Sequence, residues 1–322
     1  MTFRHFTSIA CAVAALVISC NNKTPEWVGT ALESSTQQLL STADELRDSG
    51  RFPRSIWSGW DIEFLAEQIG PSVYAKVDSL RPQPSADKLG KLRTCDVYDW
   101  TSGFFPGSLW LAYELTGDER LLADAVDYTN KMLPATFYTG THDLGFMVGC
   151  SYGNALRLCP NDSLKTVIIR TADNLASRFN PEIGAIRSWD FGPWNFPVII
   201  DNMMNLELLF KVSEMTGDPV YRNIAISHAD KTLENHYRDD FSTYHVVDYD
   251  DETGTIRRRC TAQGIADESR WARGQAWSIY GFTVAYRFTK DERYLQRAKD
   301  VANYLFVTED NMPEDLVPLW DS

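Results

Sequence analysis

Residues 115–125 read LTGDERLLADA, and residues 215–225 read MTGDPVYRNIA. Residues 288–298, FTKDERYLQRA, repeat the pattern with Lys for Gly, and residues 158–168, LCPNDSLKTVI, are a degenerate copy. In each copy an apolar helical pattern ends, a turn of Gly, Lys or Pro with Asp or Asn follows, and an amphipathic pattern begins. Gly or Lys can close the first helix, while Thr or Asp can cap the second. The unit is therefore a helical hairpin, repeated with loops of variable length on the opposite side. Hairpins that each bury a face against the next predict an all-α solenoid or closed ring.

The first helix of each hairpin is the unusual one. Its copies are DWTSGFFPGSLWLAYEL (99–115), HDLGFMVGCSYGNALRL (142–158), DNMMNLELLFKVSEM (201–215) and RWARGQAWSIYGFTVAYRF (270–288). All begin with polar or aromatic residues and continue through small ones, as an inner layer of close-packed helices requires. Their N-termini then open on one end, where a cleft forms. Asp143 and Asp201 sit at the starts of two such helices, a position that suits a plain N-cap and lowers a carboxyl pKa. If they instead face each other in a partly buried cleft, repulsion and desolvation raise one of them. Helical spacing puts Arg273, Trp277 and Tyr280 on one face, with Gly274, Ser278 and Gly281 on a close-packing neighbour. The segment around DDETGT (250–255) predicts a two-stranded hairpin protruding over the cleft, with His245 and Gln263 nearby.

Composition narrows the chemistry. A formal charge of −13 excludes nucleic acid as a partner, while ten Trp in 322 residues suit stacking against sugar rings. No phosphate loop, dinucleotide fingerprint or metal-ligand spacing occurs, which points to a cofactor-free, metal-free enzyme or a binding protein. The N-terminus combines Arg4 and His5 with an apolar run too short to span a bilayer, so residues 1–19 read as a secretion signal. Val17-Ile18-Ser19-Cys20 resembles a lipobox. Cys20 is then the lipidated residue, residues 20–30 a tether, and 31–322 the catalytic domain. The expected location is the periplasm or cell envelope, with the membrane touched only through the lipid. Cys95, Cys150, Cys159 and Cys260 carry no pattern that assigns disulfides, and nothing in the sequence fixes an oligomeric state.

The motifs DWTSGFFPG, THDLGFM, DNMMNLELL and QGIADESRWARGQAWSIYGF (263–282) resemble the unsaturated glucuronyl hydrolases of glycoside hydrolase family 88. The resemblance runs from about residue 95 to the end of the chain. It implies an (α/α)6 toroid and removal of the 4,5-unsaturated uronic acid that polysaccharide lyases leave on oligosaccharide ends, glycosaminoglycan fragments above all. It further implies Asp201 as general acid and base, and Asp143 as its partner carboxylate. Trp100, His142, His245, Gln263, Trp271, Arg273 and Trp277 become residues around the terminal sugar. Two departures stand out. Ala262 replaces an expected His before Gln263-Gly264, and the family pattern continues past VPLWDS, so the toroid is expected to be C-terminally incomplete here. Three alternatives are an unsaturated rhamnogalacturonyl hydrolase acting on pectin fragments, an N-acyl-sugar epimerase and a non-catalytic glycan-binding lipoprotein.

Overall fold

The structure is a computed structural model that describes residues 25–57, 84–308, 313 and 317–321. Contacts divide the chain into two compact units, residues 1–45 and 46–322. Of the first, the described part is helix α1 (Glu26–Leu46), so residues 26–30, read from sequence as tether, are its opening turns. The signal segment and Cys20 lie outside the described residues.

The second unit is built from the expected hairpins. These are α2 (Phe104–Thr116) with α3 (Glu119–Lys131), and α4 (Tyr152–Leu158) with α5 (Asp162–Ala176). Then come α6 (Asn202–Thr216) with α7 (Pro219–Asn235), and α8 (Ala272–Thr289) with α9 (Glu292–Phe306). The turn chemistry works as the repeat requires. Gly117, Gly217 and Lys290 close α2, α6 and α8 in the left-handed conformation, with φ of 71°, 76° and 61°. Asp118, Asp218 and Asp291 then cap α3, α7 and α9 by accepting the N–H two residues on. In the degenerate copy, Asn161 caps α5 by accepting from the Leu164 N–H.

Burial separates two helix layers. α6 buries residues on every side, from Asn202 and Met203 through Leu208, Leu209 and Phe210. α9 buries a single stripe, Tyr294, Ala298, Val301, Tyr304 and Leu305. Small residues let the inner helices approach: a Cβ on Gly281 of α8 would stand 2.4 Å from the Met203 Cβ of α6.

The all-α expectation needs an addition. Among the described residues, seven short strands accompany the hairpins: β1 (Phe52–Ile56) pairs with β2 (Leu92–Cys95), and β3 (Phe179–Asn180) with β4 (Ala185–Ile186). The others, β5 (Phe196–Ile199), β6 (Val246–Tyr249) and β7 (Ile256–Cys260), form one antiparallel sheet. The β6–β7 hairpin is the one predicted around DDETGT. It does not protrude, because β5 pairs with β6, and β5 and β6 are buried along their whole length. The four cysteines 95, 150, 159 and 260 are free thiols.

Candidate functional site

The three-stranded sheet sets the centre of the site. β5 runs directly into Asp201, while His245 immediately precedes β6. Ile199 pairs with Val246, and the Ile200 N–H donates to the His245 carbonyl at 3.1 Å. Sheet register thus places a carboxyl beside an imidazole. Asp201 occupies the N-cap position of α6 but does not cap it. Its backbone is already helical, with φ −56° and ψ −27°, and its side chain makes no capping bond.

The Asp201 carboxyl is held from the other side by α8. Trp277 Nε1–H donates to Oδ1 at 3.1 Å, while Oδ2 has no partner among the described residues. Burial pushes its pKa up to about 7. The Arg273 charge opposes that rise, and the negative Asp143 reinforces it. His245 is buried and neutral, its pKa pressed down to about 3 by desolvation and then by Arg273. Its Nδ1 accepts N–H bonds from Ala262 (2.9 Å) and Gln263 (3.2 Å), which leaves the ring hydrogen on Nε2. That hydrogen points across a 3.7 Å gap to Asp201 Oδ2, too wide for a direct bond. Both atoms are unpaired among the described residues.

Asp143 enters from a different element. It precedes a π-helical turn, Gly145–Gly149, rather than the α-helix the sequence suggested. The Thr141 hydroxyl donates to its Oδ2 at 2.8 Å, and His142 Nε2 lies 3.2 Å from its Oδ1. Burial keeps His142 below the usual imidazole pKa, against the opposing pull of the Asp143 charge. The π-turn is tied to α6: Asn205 Oδ1 accepts the Phe146 N–H at 3.0 Å, and Gly145 packs so closely that a Cβ would meet the Asn205 Cα at 2.7 Å. Asn205 lies one helical turn beyond Asp201, so the segments bearing the two acids are fastened together.

The two acids line a cleft of about 320 Å³ together with Trp100, His142, Gln263, Trp189 and Phe191. The remaining sequence candidates form a layer behind it. Arg273 donates to Gln263 Oε1, and its guanidinium lies 4.3 Å from the Trp271 ring and 5.2 Å from that of Trp100. Trp271 is buried between Arg273 and His245, whose ring it meets at 4.7 Å. It therefore fixes those two groups and does not itself open on the cleft. Trp277 is half-buried, spending its N–H on Asp201 and its ring on Phe146 at 5.3 Å. Sequence reasoning missed Thr141, Asn205, Trp189 and Phe191. The aromatic run in SWDFGPW (188–194) was the available signal for the last two.

A larger apolar groove of about 690 Å³, bordered by Leu111, Phe146, Met204 and Tyr280, competes on size alone. Its half-buried acid, Glu207, is already engaged by Lys211 at 2.7 Å and by the Tyr280 hydroxyl at 2.6 Å. The chemistry belongs to the smaller cleft, where a carboxyl oxygen stands unpaired.

Among curated proteins, an unsaturated glucuronyl hydrolase from Formosa agariphila is 48% identical over 226 residues, covering 69% of this chain and 56% of that protein. An unsaturated chondroitin disaccharide hydrolase from Streptococcus pyogenes is 36% identical over 245 residues, covering 74% and 60%. The chain thus spans little more than half the length of these relatives. Among solved structures, an unsaturated glucuronyl hydrolase specific for heparin superposes with a TM-score of 0.76 at 40% identity, covering 90% of this chain and 71% of that one. The unsaturated glucuronyl hydrolase of Streptococcus agalactiae also gives 0.76, at 30% identity and 94% and 69% coverage. Such matches carry the (α/α)6 architecture that the motif resemblance implied, one form of the closed ring predicted from the hairpin repeat. A model described as a domain of unknown function matches residues 3–70. The model for Glycosyl Hydrolase Family 88 matches residues 81–288, a span that holds every cleft residue named above, and the chain belongs to that family.

Proposed function

We propose that this protein removes the 4,5-unsaturated uronic acid from the non-reducing end of lyase-generated oligosaccharides, glycosaminoglycan fragments above all, by hydrating the C4=C5 enol ether. The observation that carries the reading is the Asp201 carboxyl: buried, pushed up to about 7, with one oxygen bonded and the other open beside Asp143. The names of the relatives, glucuronyl and chondroitin disaccharide hydrolases, support the substrate class.

With Oδ1 accepting the Trp277 N–H, the acidic hydrogen resides on Oδ2 and is free to go to C4. Protonation there leaves an oxocarbenium-like C5 stabilised by the ring oxygen. The new Asp201 carboxylate, facing Arg273 and Trp277, then takes a proton from the water that adds at C5. The resulting hemiketal opens, leaving a hemiacetal at C1 that expels the rest of the saccharide as an alcohol. One acid performs both proton transfers, so the carboxylate-separation rule of ordinary glycosidases has no bearing. Asp143, steadied by Thr141 and His142, supplies the neighbouring charge that keeps the proton on Asp201. Arg273, set by Trp271 and Gln263, supplies the positive charge for an anionic sugar.

The ultraviolet absorbance of the conjugated acid disappears on hydration. Lyase-generated disaccharides should lose it with the wild-type protein, and D201N should be slower by roughly 10²–10⁴-fold. An unchanged absorbance with every uronic disaccharide, or wild-type rates in D201N, rules the reading out. The leader-like start supports the same activity in the cell envelope, held by a lipid on Cys20. The C20A variant should then partition into the aqueous rather than the detergent phase.

A further inference from the structure

We infer that Asp321 is a positioning residue: its carboxylate latches the loop that carries Gln263, and through that loop it sets His245 and Arg273 for the substrate. The inference rests on the proposed function for the role of those three side chains. Residues 261–271, between β7 and α8, form neither helix nor strand, so bonds from side chains and distant backbone fix their course. Three contacts of this loop serve the cleft. The Ala262 and Gln263 N–H groups set the His245 ring, and Gln263 Oε1 accepts from Arg273.

Two sets of bonds hold the loop. The local set ties the loop to itself. The Thr261 N–H donates to Asp267 Oδ1 at 2.9 Å, and the Gly264 N–H donates to Thr261 Oγ1 at 2.7 Å. The other set comes from far along the chain. Asp321 Oδ2 accepts the Ile265 N–H at 2.6 Å and the Ser269 hydroxyl at 2.8 Å. One residue earlier, the Trp320 carbonyl accepts the Ala272 N–H at 3.0 Å. That N–H opens α8, where the first turn has no acceptor within the helix, and Trp271 supplies no side-chain cap. Residues 320 and 321 thus fasten both the middle of the loop and the start of the helix that bears Arg273 and Trp277.

The contact is close and enclosed. Asp321 is 9% exposed, and a Cβ on Gly264 would fall 2.7 Å from its Oδ2. Gly264 follows Gln263 directly, so the carboxylate bears on the backbone that aims the Gln263 side chain. Burying a carboxylate costs desolvation, which the N–H and O–H donors offset. Asp201 is set by the sheet and by Trp277, so loss of the latch bears on substrate binding more than on proton transfer.

The test is D321A, read in two ways. With an unsaturated disaccharide, KM should rise about ten- to thirtyfold, the lower range for a hydrogen bond to a charged group, while kcat changes less than about threefold. D321N keeps an acceptor oxygen and should recover most of the loss. The second reading needs no substrate. The chain has five His, so nitrogen NMR of protein with isotopically labelled histidine can follow each ring, with H245Q assigning the signal. In wild type the ring hydrogen should sit on Nε2. In D321A the Ala262 and Gln263 N–H groups release Nδ1, and the two nitrogen shifts should move toward each other. Both changes together support the latch. An unmoved His245 signal, a KM within about twofold of wild type, or a D321N as impaired as D321A overturns it. If wild type turns over no uronic disaccharide, the proposed function fails and the His245 signal alone decides the latch. Should D321A not fold, G264A decides: its methyl group pushes Asp321 off the loop with the carboxylate retained, and the same two readings apply.

Discussion

At Asp201, the physics of one carboxyl makes a pH prediction. Its ordinary value is 3.8, burial raises it to about 7, and Asp143 adds to the rise. In the proposed mechanism the protonated form delivers the proton to C4, so kcat/KM should fall as pH increases through about 7. Replacing Asp143 by Asn removes the repulsive charge, so the limb of residual activity should move to lower pH. A limb that stays in place would mean that burial alone holds the proton. The same shift acts on stability, with a definite sign. Between 3.8 and about 7 the folded state binds a proton that the unfolded state has lost, so this contribution favours folding at the acid end and is lost as pH rises through about 7. D201N should flatten that slope, which thermal melts at pH 5 and pH 8 would show.

Helices and strands differed sharply in how far the sequence revealed them. The TGD turns were legible because their chemistry is local. Thr116, Thr216 and Thr289 each accept the N–H two residues on, at 3.2, 3.1 and 3.1 Å, and the following Asp caps the next helix. β6 was found through the DDETGT turn beside it, but β5 was not legible, because it is buried along its whole length and FPVI lacks the alternation that identifies a strand. The contact of Asp201 with His245 depends on that pairing, which no spacing along the chain encodes. Motif resemblance could name both residues but could not place them 3.7 Å apart. The layer formed by Trp271 behind Arg273 and His245 was hidden for the same reason. The inner helices also make a prediction of their own. Because α6 and α8 touch at Gly281, a methyl group there must push Met203 or the helix aside. G281A should destabilise the fold by about 1–3 kcal/mol. Since Trp277 lies one turn earlier on α8, activity should fall as well. A melting temperature equal to that of wild type would show that the two helices can separate freely.

At the scale of the whole molecule, the formal charge of −13 opposes an anionic substrate that a local arginine attracts. The two effects have different ranges. Arg273 acts at short range from behind the cleft, packed over Trp271 and Trp100 and poorly reached by salt. The net charge acts across solvent, over a distance set by the Debye length, which shrinks from about 30 Å at 0.01 M salt to about 8 Å at 0.15 M. Screening should therefore remove the long-range repulsion first and leave the local attraction in place. The kcat/KM for an unsaturated uronic disaccharide should accordingly rise as salt increases over that range, by roughly two- to fivefold at fixed pH. Most of the gain should lie in KM, because association rather than proton transfer is being screened. The exposed arginines of β7, Arg257 and Arg258, could reverse the sign, but both are drawn to the buried Asp248, at 3.6 and 3.7 Å, which cancels part of their field. A fall in kcat/KM with salt would show that a basic approach surface outweighs the acidic body. R257Q and R258Q would then weaken the salt dependence, and if neither did, the steering would have to come from Arg273 behind the cleft.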